Sequence, residues 1–174
     1  MWVAQIVSCF ASVSFVSRFY TTTIIDWGHL VLPVISSVVP HVTAGALTIY
    51  ALIKPRLDSM RVLTQVYAPA MFIKSILISV TILPDANPEC TTLHPLKCLT
   101  RNDMLPSGHM IAAYCAALAI NHPYANILTT LTAVCLVASR MHYTVDCVLA
   151  VVLCYLLNRN STLACKVEEC VKDT

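Results

Sequence analysis

The chain has 174 residues, 57% of them hydrophobic and 11% charged, with a net charge of +2 and a mean hydropathy of +0.73. Soluble domains carry about 25% charged residues and, at this size, leave much of their surface in water, so the composition excludes an ordinary soluble domain and points to an all-α, polytopic membrane protein. The small net charge, with no basic patch interleaved with aromatics, excludes nucleic-acid binding, and three glycines are too few for a glycine-rich phosphate loop.

Taken in chain order, the apolar runs predict about six spans in a single domain covering residues 1–174. Residues 2–17 make a short first span, and the absence of a basic region ahead of it argues for a retained span rather than a cleaved signal. Residues 27–53 make the second, interrupted by Pro33 and Pro40; prolines are tolerated in membrane helices when neighbours satisfy the freed backbone groups. A net-basic polar loop, Lys54 to Arg61, leads to a third span over about 62–83 that contains Lys74. Lys74 so deep in an apolar run reads as functional or paired, or else as snorkelling to the interface. The longest polar stretch, Pro84 to Pro106, follows. The fourth span runs from Ser107 to about Ile120, Asn121 to Tyr124 form a turn, the fifth span ends near Ser139-Arg140, and the sixth covers about Tyr143 to Leu157. Residues 158–174 read as a polar, mobile cytoplasmic tail.

Basic residues near span ends face the cytoplasm. Lys54 to Arg61, with Arg159 and Lys166, therefore place both termini in the cytoplasm and the junctions before Ser107 and around Arg140 to Asp146 on the lumen or exterior. The expected location is an endomembrane (Golgi or endoplasmic reticulum) or the plasma membrane. Asn160-Ser161-Thr162 matches a glycosylation sequon but falls on the cytoplasmic side, where it is discounted.

Of the nine cysteines, Cys9, Cys115, Cys135, Cys147 and Cys154 sit in apolar runs and act as small hydrophobes. Cys90 and Cys98 lie in the polar stretch, where they form a disulfide if it faces an oxidising lumen and are otherwise two free thiols. His94 nearby gives too few ligands for zinc.

Two strings carry the chemistry: Ser107-Gly108-His109 and His142-Tyr143-Thr144-Val145-Asp146. Both lie at the rim predicted to be luminal. His142 and Asp146 have the i, i+4 spacing that stacks side chains on a helix, so the carboxylate can orient the imidazole and stabilise the cation formed when it attacks as a nucleophile. Ser107 suits an N-cap, Gly108 lets a substrate approach the backbone, and a helix N-terminus attracts anions. His109 in that first turn supplies acid–base chemistry, and Arg140 a permanent charge for phosphate oxygens. This set suits phosphoryl transfer through a phosphohistidine. No carboxylate cluster suggests a magnesium site, so neither metal nor cofactor is expected. His29, His41, His94 and His122 have no partner pattern and read as structural.

These residues resemble the type-2 phosphatidate phosphatase superfamily, and within it the sphingolipid synthases: sphingomyelin synthase and inositol phosphorylceramide synthase. The family carries C-G-D, then S-G-H; here Asp103 and Ser107-Gly108-His109 are kept while Arg101 and Asn102 replace Cys and Gly. Its second motif, H-Y-[ST]-x-D, is matched at every defined position by His142 to Asp146. Lys74 to Pro84, followed by Cys90, is similar to the family's third span with its luminal cysteine. The K-x6-R-P string of the phosphatase branch does not occur. The resemblance covers about residues 60–157. It implies a head-group transfer from a glycerophospholipid donor to a ceramide acceptor, with His142, Asp146 and His109 catalytic and Asp103, Ser107, Gly108, Arg140 and Tyr143 holding the phosphate or head group. Two alternatives stand beside it: a lipid phosphate phosphatase using the same residues with water as acceptor, and a non-catalytic lipid-binding membrane protein.

Overall fold

Helix boundaries in this chain follow from a few caps and prolines. The computed structural model describes residues 24–53, 57–81 and 105–172, and all regular structure among them is helical. The first predicted span, the possible Cys90–Cys98 disulfide and Asp103 lie outside the described residues.

The predicted second span divides in two. Helix α1 (Trp27–Val31) starts where the Asp26 side chain accepts from His29 N and stops at Leu32, which is extended. Pro33 follows, and a residue before proline is pushed out of the helical region. Helix α2 (Val38–Ile53) carries Pro40 in its first turn, where the missing N–H has no helical partner to lose. Its buried residues, Pro40, Ala44 and Leu47, recur at helical spacing along one face.

The third predicted span begins earlier than expected. Helical turns run from α3 (Leu57–Val62) through a π-helical turn (Leu63–Tyr67) into α4 (Ala68–Val80), with right-handed helical backbone at both junctions. The wide turn has a local cause. Pro69 has no N–H to give to the Gln65 carbonyl, its i−4 partner, and the chain widens just before it, so that Ala68 N bonds to Leu63 O.

Helix α5 (Gly108–Ile120) starts at Ser107, whose side chain accepts from Met110 N, and ends at Asn121 in the left-handed conformation, φ 49°. Helix α6 (Pro123–Ala138) has Pro123 at its first position and His122 as N-cap. Arg140, φ 59°, reverses the chain into α7 (Thr144–Lys172). The helix thus continues through the polar tail that was expected to be mobile. Residues 158–172 contain neither glycine nor proline to stop it, and Arg61 ties it to α3 by donating to Ser161 Oγ and Thr162 Oγ1.

Helix α5 is the axis of the bundle, packed against α2, α3, α4, α6 and α7. Ile111, Ala113, Cys115, Ala116, Ala117 and Ala119 are buried around its circumference. The interior is mostly apolar, with Val66, Ile78, Ile111 and Leu136 fully buried, and it also buries Lys74, Ser107 and Asp146, whereas Val42, Ile49, Leu52, Phe72, Ile76, Ile127, Leu131, Val148 and Val152 point outward. Thr144–Ala164 is long and apolar enough to cross a membrane, while Val38–Ile53, Gly108–Ile120 and Pro123–Ala138 are shorter apolar helices.

Candidate active site

The two motif strings meet at one end of the bundle. Ser107 caps α5 with its hydroxyl and donates its backbone N–H to Asp146 O, 3.2 Å away, so the first string is bonded directly to the second. His109 follows in the first turn of α5. Its ring centroid lies 6.0 Å from that of His142, with the planes 62° apart.

His142 is not on a helix, as the i, i+4 spacing suggested. It sits in the turn before α7, which starts two residues later. Asp146 still meets it, because a carboxylate at the third helical position turns back over the helix start. Asp146 Oδ2 accepts from Tyr143 N at 2.9 Å and lies 3.5 Å from His142 Nδ1. That separation is in ion-pair range but too long for a hydrogen bond. His142 Nδ1 and Asp146 Oδ1 are both buried without a hydrogen-bond partner among the described residues. Catalytic hydrogen bonds that are long in a free site tighten when substrate arrives.

Lys74, fully buried, reaches from α4 to donate to Pro106 O at 2.6 Å. This bears on Gly108. A Cβ there would meet Lys74 Cε at 3.2 Å, so Gly108 also makes room for the lysine stem. A cation beside the N-terminus of α5 strengthens the attraction of this corner for an anion.

Arg140 is directed elsewhere than the sequence suggested. Its Nη2 donates to the carbonyls of His29 and Leu32, fastening α1 to the turn. Nη1 is buried without a partner among the described residues, so only that end of the guanidinium remains for phosphate. Tyr143 is buried, with its ring 5.4 Å from that of His29.

Three residues with no sequence pattern belong to this end. His29 Nε2 is 3.0 Å from His142 O; a carbonyl only accepts, so that nitrogen carries the hydrogen. His41 Nδ1 is 2.9 Å from His109 Nε2. Asp26 accepts from Thr144 N and Thr144 Oγ1, both at 2.7 Å, and so caps both α1 and α7. Burial pushes the Asp26 carboxyl up, but the bonds from Thr144 and His29 outweigh it and hold it below the usual carboxylate range. The signal that could have found His29 and His41 is an ionisable residue in an apolar run close to the predicted rim. An apolar cavity of about 680 Å³ lies at the other end, between α2 and the α5–α6 turn.

Comparison with protein-family models, with curated proteins and with solved structures gives no match for the chain.

Proposed function

We propose that this protein is a polytopic membrane phosphotransferase that moves a phospho-head group from a glycerophospholipid to ceramide through a phosphohistidine. The observation that carries the reading is the approach of His109 and His142 from two separate helix starts to a ring separation of 6.0 Å, with Asp146 against the second. Outward apolar faces on α2, α4, α6 and α7 around a core that buries Lys74, Ser107 and Asp146 support the membrane setting. Leu57 to Val80 is helical without interruption, roughly 36 Å at 1.5 Å per residue, enough for a bilayer core of about 30 Å. In this reading the chain makes about six spans, its termini are cytoplasmic, and the histidine end faces the lumen or exterior.

In the first step His142 Nε2 attacks phosphorus and the bond to the diacylglycerol oxygen breaks, that oxygen taking a proton from His109. Asp146 stabilises the His142 cation. In the second step His109 takes the proton of the ceramide primary hydroxyl, the oxygen attacks phosphorus, and the P–N bond breaks. Lys74, Arg140 Nη1 and the N-terminus of α5 hold the phosphate oxygens. Ceramide as acceptor rests on the motif resemblance; the phosphate site and the histidine pair rest on this geometry.

The test uses membranes containing the full chain, labelled ceramide and donors bearing choline, ethanolamine or inositol. A phosphosphingolipid product that disappears in H142A supports the proposal. Inorganic phosphate released from phosphatidate, without a ceramide product, replaces it with a lipid phosphatase. No reaction on any donor leaves a lipid-binding protein.

A further inference from the structure

We propose that His41 is the proton partner of His109, the two imidazoles holding one exchangeable proton between them. The inference rests on the acid–base role proposed for His109 and names a positioning residue that the motifs do not contain.

His41 Nδ1 and His109 Nε2 are 2.9 Å apart, with ring centroids at 4.7 Å and planes 60° apart. Two imidazole nitrogens make such a contact only when one carries hydrogen and the other offers a lone pair. The tautomer of each ring is thereby tied to that of the other. The approach is set by helix packing. His41 follows Pro40 on α2, and Pro40, Ala44 and Leu47 are buried on that helix, which packs directly on α5. His41 lies in the first turn of α2 and is exposed, at the end of the bundle that the proposed reading places at the rim, while His109 faces His142.

Other charged groups bear on His109. His142 lies across from it with Asp146 behind, Lys74 lies under Gly108 on α4, and Arg140 is held against α1. The His41–His109 contact lets the pair hold a proton jointly. Carrying one extra proton, it gives that proton to the leaving diacylglycerol oxygen and becomes neutral. It regains one from the ceramide hydroxyl in the second step, so no proton is gained or lost over the cycle.

Transfer in membranes is compared for the wild type, H41Q and H41A. Glutamine keeps a hydrogen-bonding group but cannot titrate. In H41Q kcat is expected to fall about tenfold, at the small end of general acid–base effects, with KM for the donor unchanged. H41A is expected to behave alike. Rates that superimpose on the wild type overturn the proposal while leaving the phosphotransferase reading intact. A second readout needs no turnover: histidine-labelled protein in nanodiscs, with the His109 ring nitrogens followed by NMR. A His109 tautomer balance that changes in H41A supports the pair, and one that does not change overturns it, even in a protein that shows no transfer on any donor.

Discussion

Asp146 serves two groups at once, and the two roles predict different outcomes. Its Oδ2 accepts from Tyr143 N and faces His142 Nδ1. Asparagine keeps an oxygen for the backbone N–H, so D146N is expected to fold and remain in the membrane. In the proposed mechanism it loses the charge that stabilises the His142 cation, and transfer should fall about 10²–10⁴-fold, as for other oriented acid–base pairs. A drop in membrane-inserted protein that matches the drop in rate would mean that capping alone explains the residue. Lys74 gives a second test. Its ammonium bonds to Pro106 O in the interior, and hydrogen bonds from charged donors contribute about 1.5–3 kcal/mol, against a desolvation penalty that methionine would not carry. K74M is therefore expected to change thermal stability little and to raise KM for the phospholipid donor, measured over a donor titration in membranes.

At the scale of elements, the short α1 works as a strap across the turn that carries His142. Asp26 caps both α1 and α7, Arg140 bonds back to α1 carbonyls, and Gly28 lets the two helices touch. A Cβ at Gly28 would overlap Thr144 Oγ1 and would lie 2.6 Å from Val137 Cγ1. G28A should push the strap off the turn, seen as faster hydrogen exchange at the amides of Leu30 and Leu32 with α5 unaffected. The strap has a defined pH response. The folded pKa of Asp26 is lowered from its ordinary 3.8, so its contribution is fully present above that value and is lost as pH falls through the lower folded value. Exchange at Leu30 and Leu32 is expected to stay flat between pH 7 and 5 once the intrinsic rate is divided out. In D26N it should be faster at both. A strap that loosens by pH 5 in the wild type would assign the clamp to another group.

At the scale of the whole molecule, the outward residues decide which solvent the bundle lives in. Val152, near the middle of the apolar stretch of α7, is 46% exposed. On a water-facing surface an exposed substitution changes stability by no more than about 0.5 kcal/mol. At mid-bilayer an arginine carries an insertion penalty of about 2.5–3.5 kcal/mol. V152R should therefore reduce the fraction of chain that resists alkaline extraction from membranes, whereas the same change at the exposed Asn160, near the predicted cytoplasmic rim, should not. Equal extraction of both variants would remove the argument from outward apolar faces.

The all-helical class was legible in the sequence because apolar runs, prolines and polar turns are local signals. Ser107 as the cap of α5 and Pro123 at the start of α6 were legible for the same reason: a cap depends on its own few neighbours. The meeting of Asp146 with His142 was legible from spacing, although the cause is a carboxylate folded back over a helix start rather than two side chains stacked on one helix. The rest depends on how elements far apart in the chain pack together. The lysine stem lying against Gly108 and the diversion of Arg140 to α1 come from such packing. His41 beside His109 is the clearest case. It lies 68 residues before its partner, and no spacing rule links positions on separate helices. The sequence by itself determined the helical class and the candidate groups; the packing of α2 and α1 around the start of α5 and the turn before α7 decided which of them meet, because their distances are set by helix contacts and not by the chain.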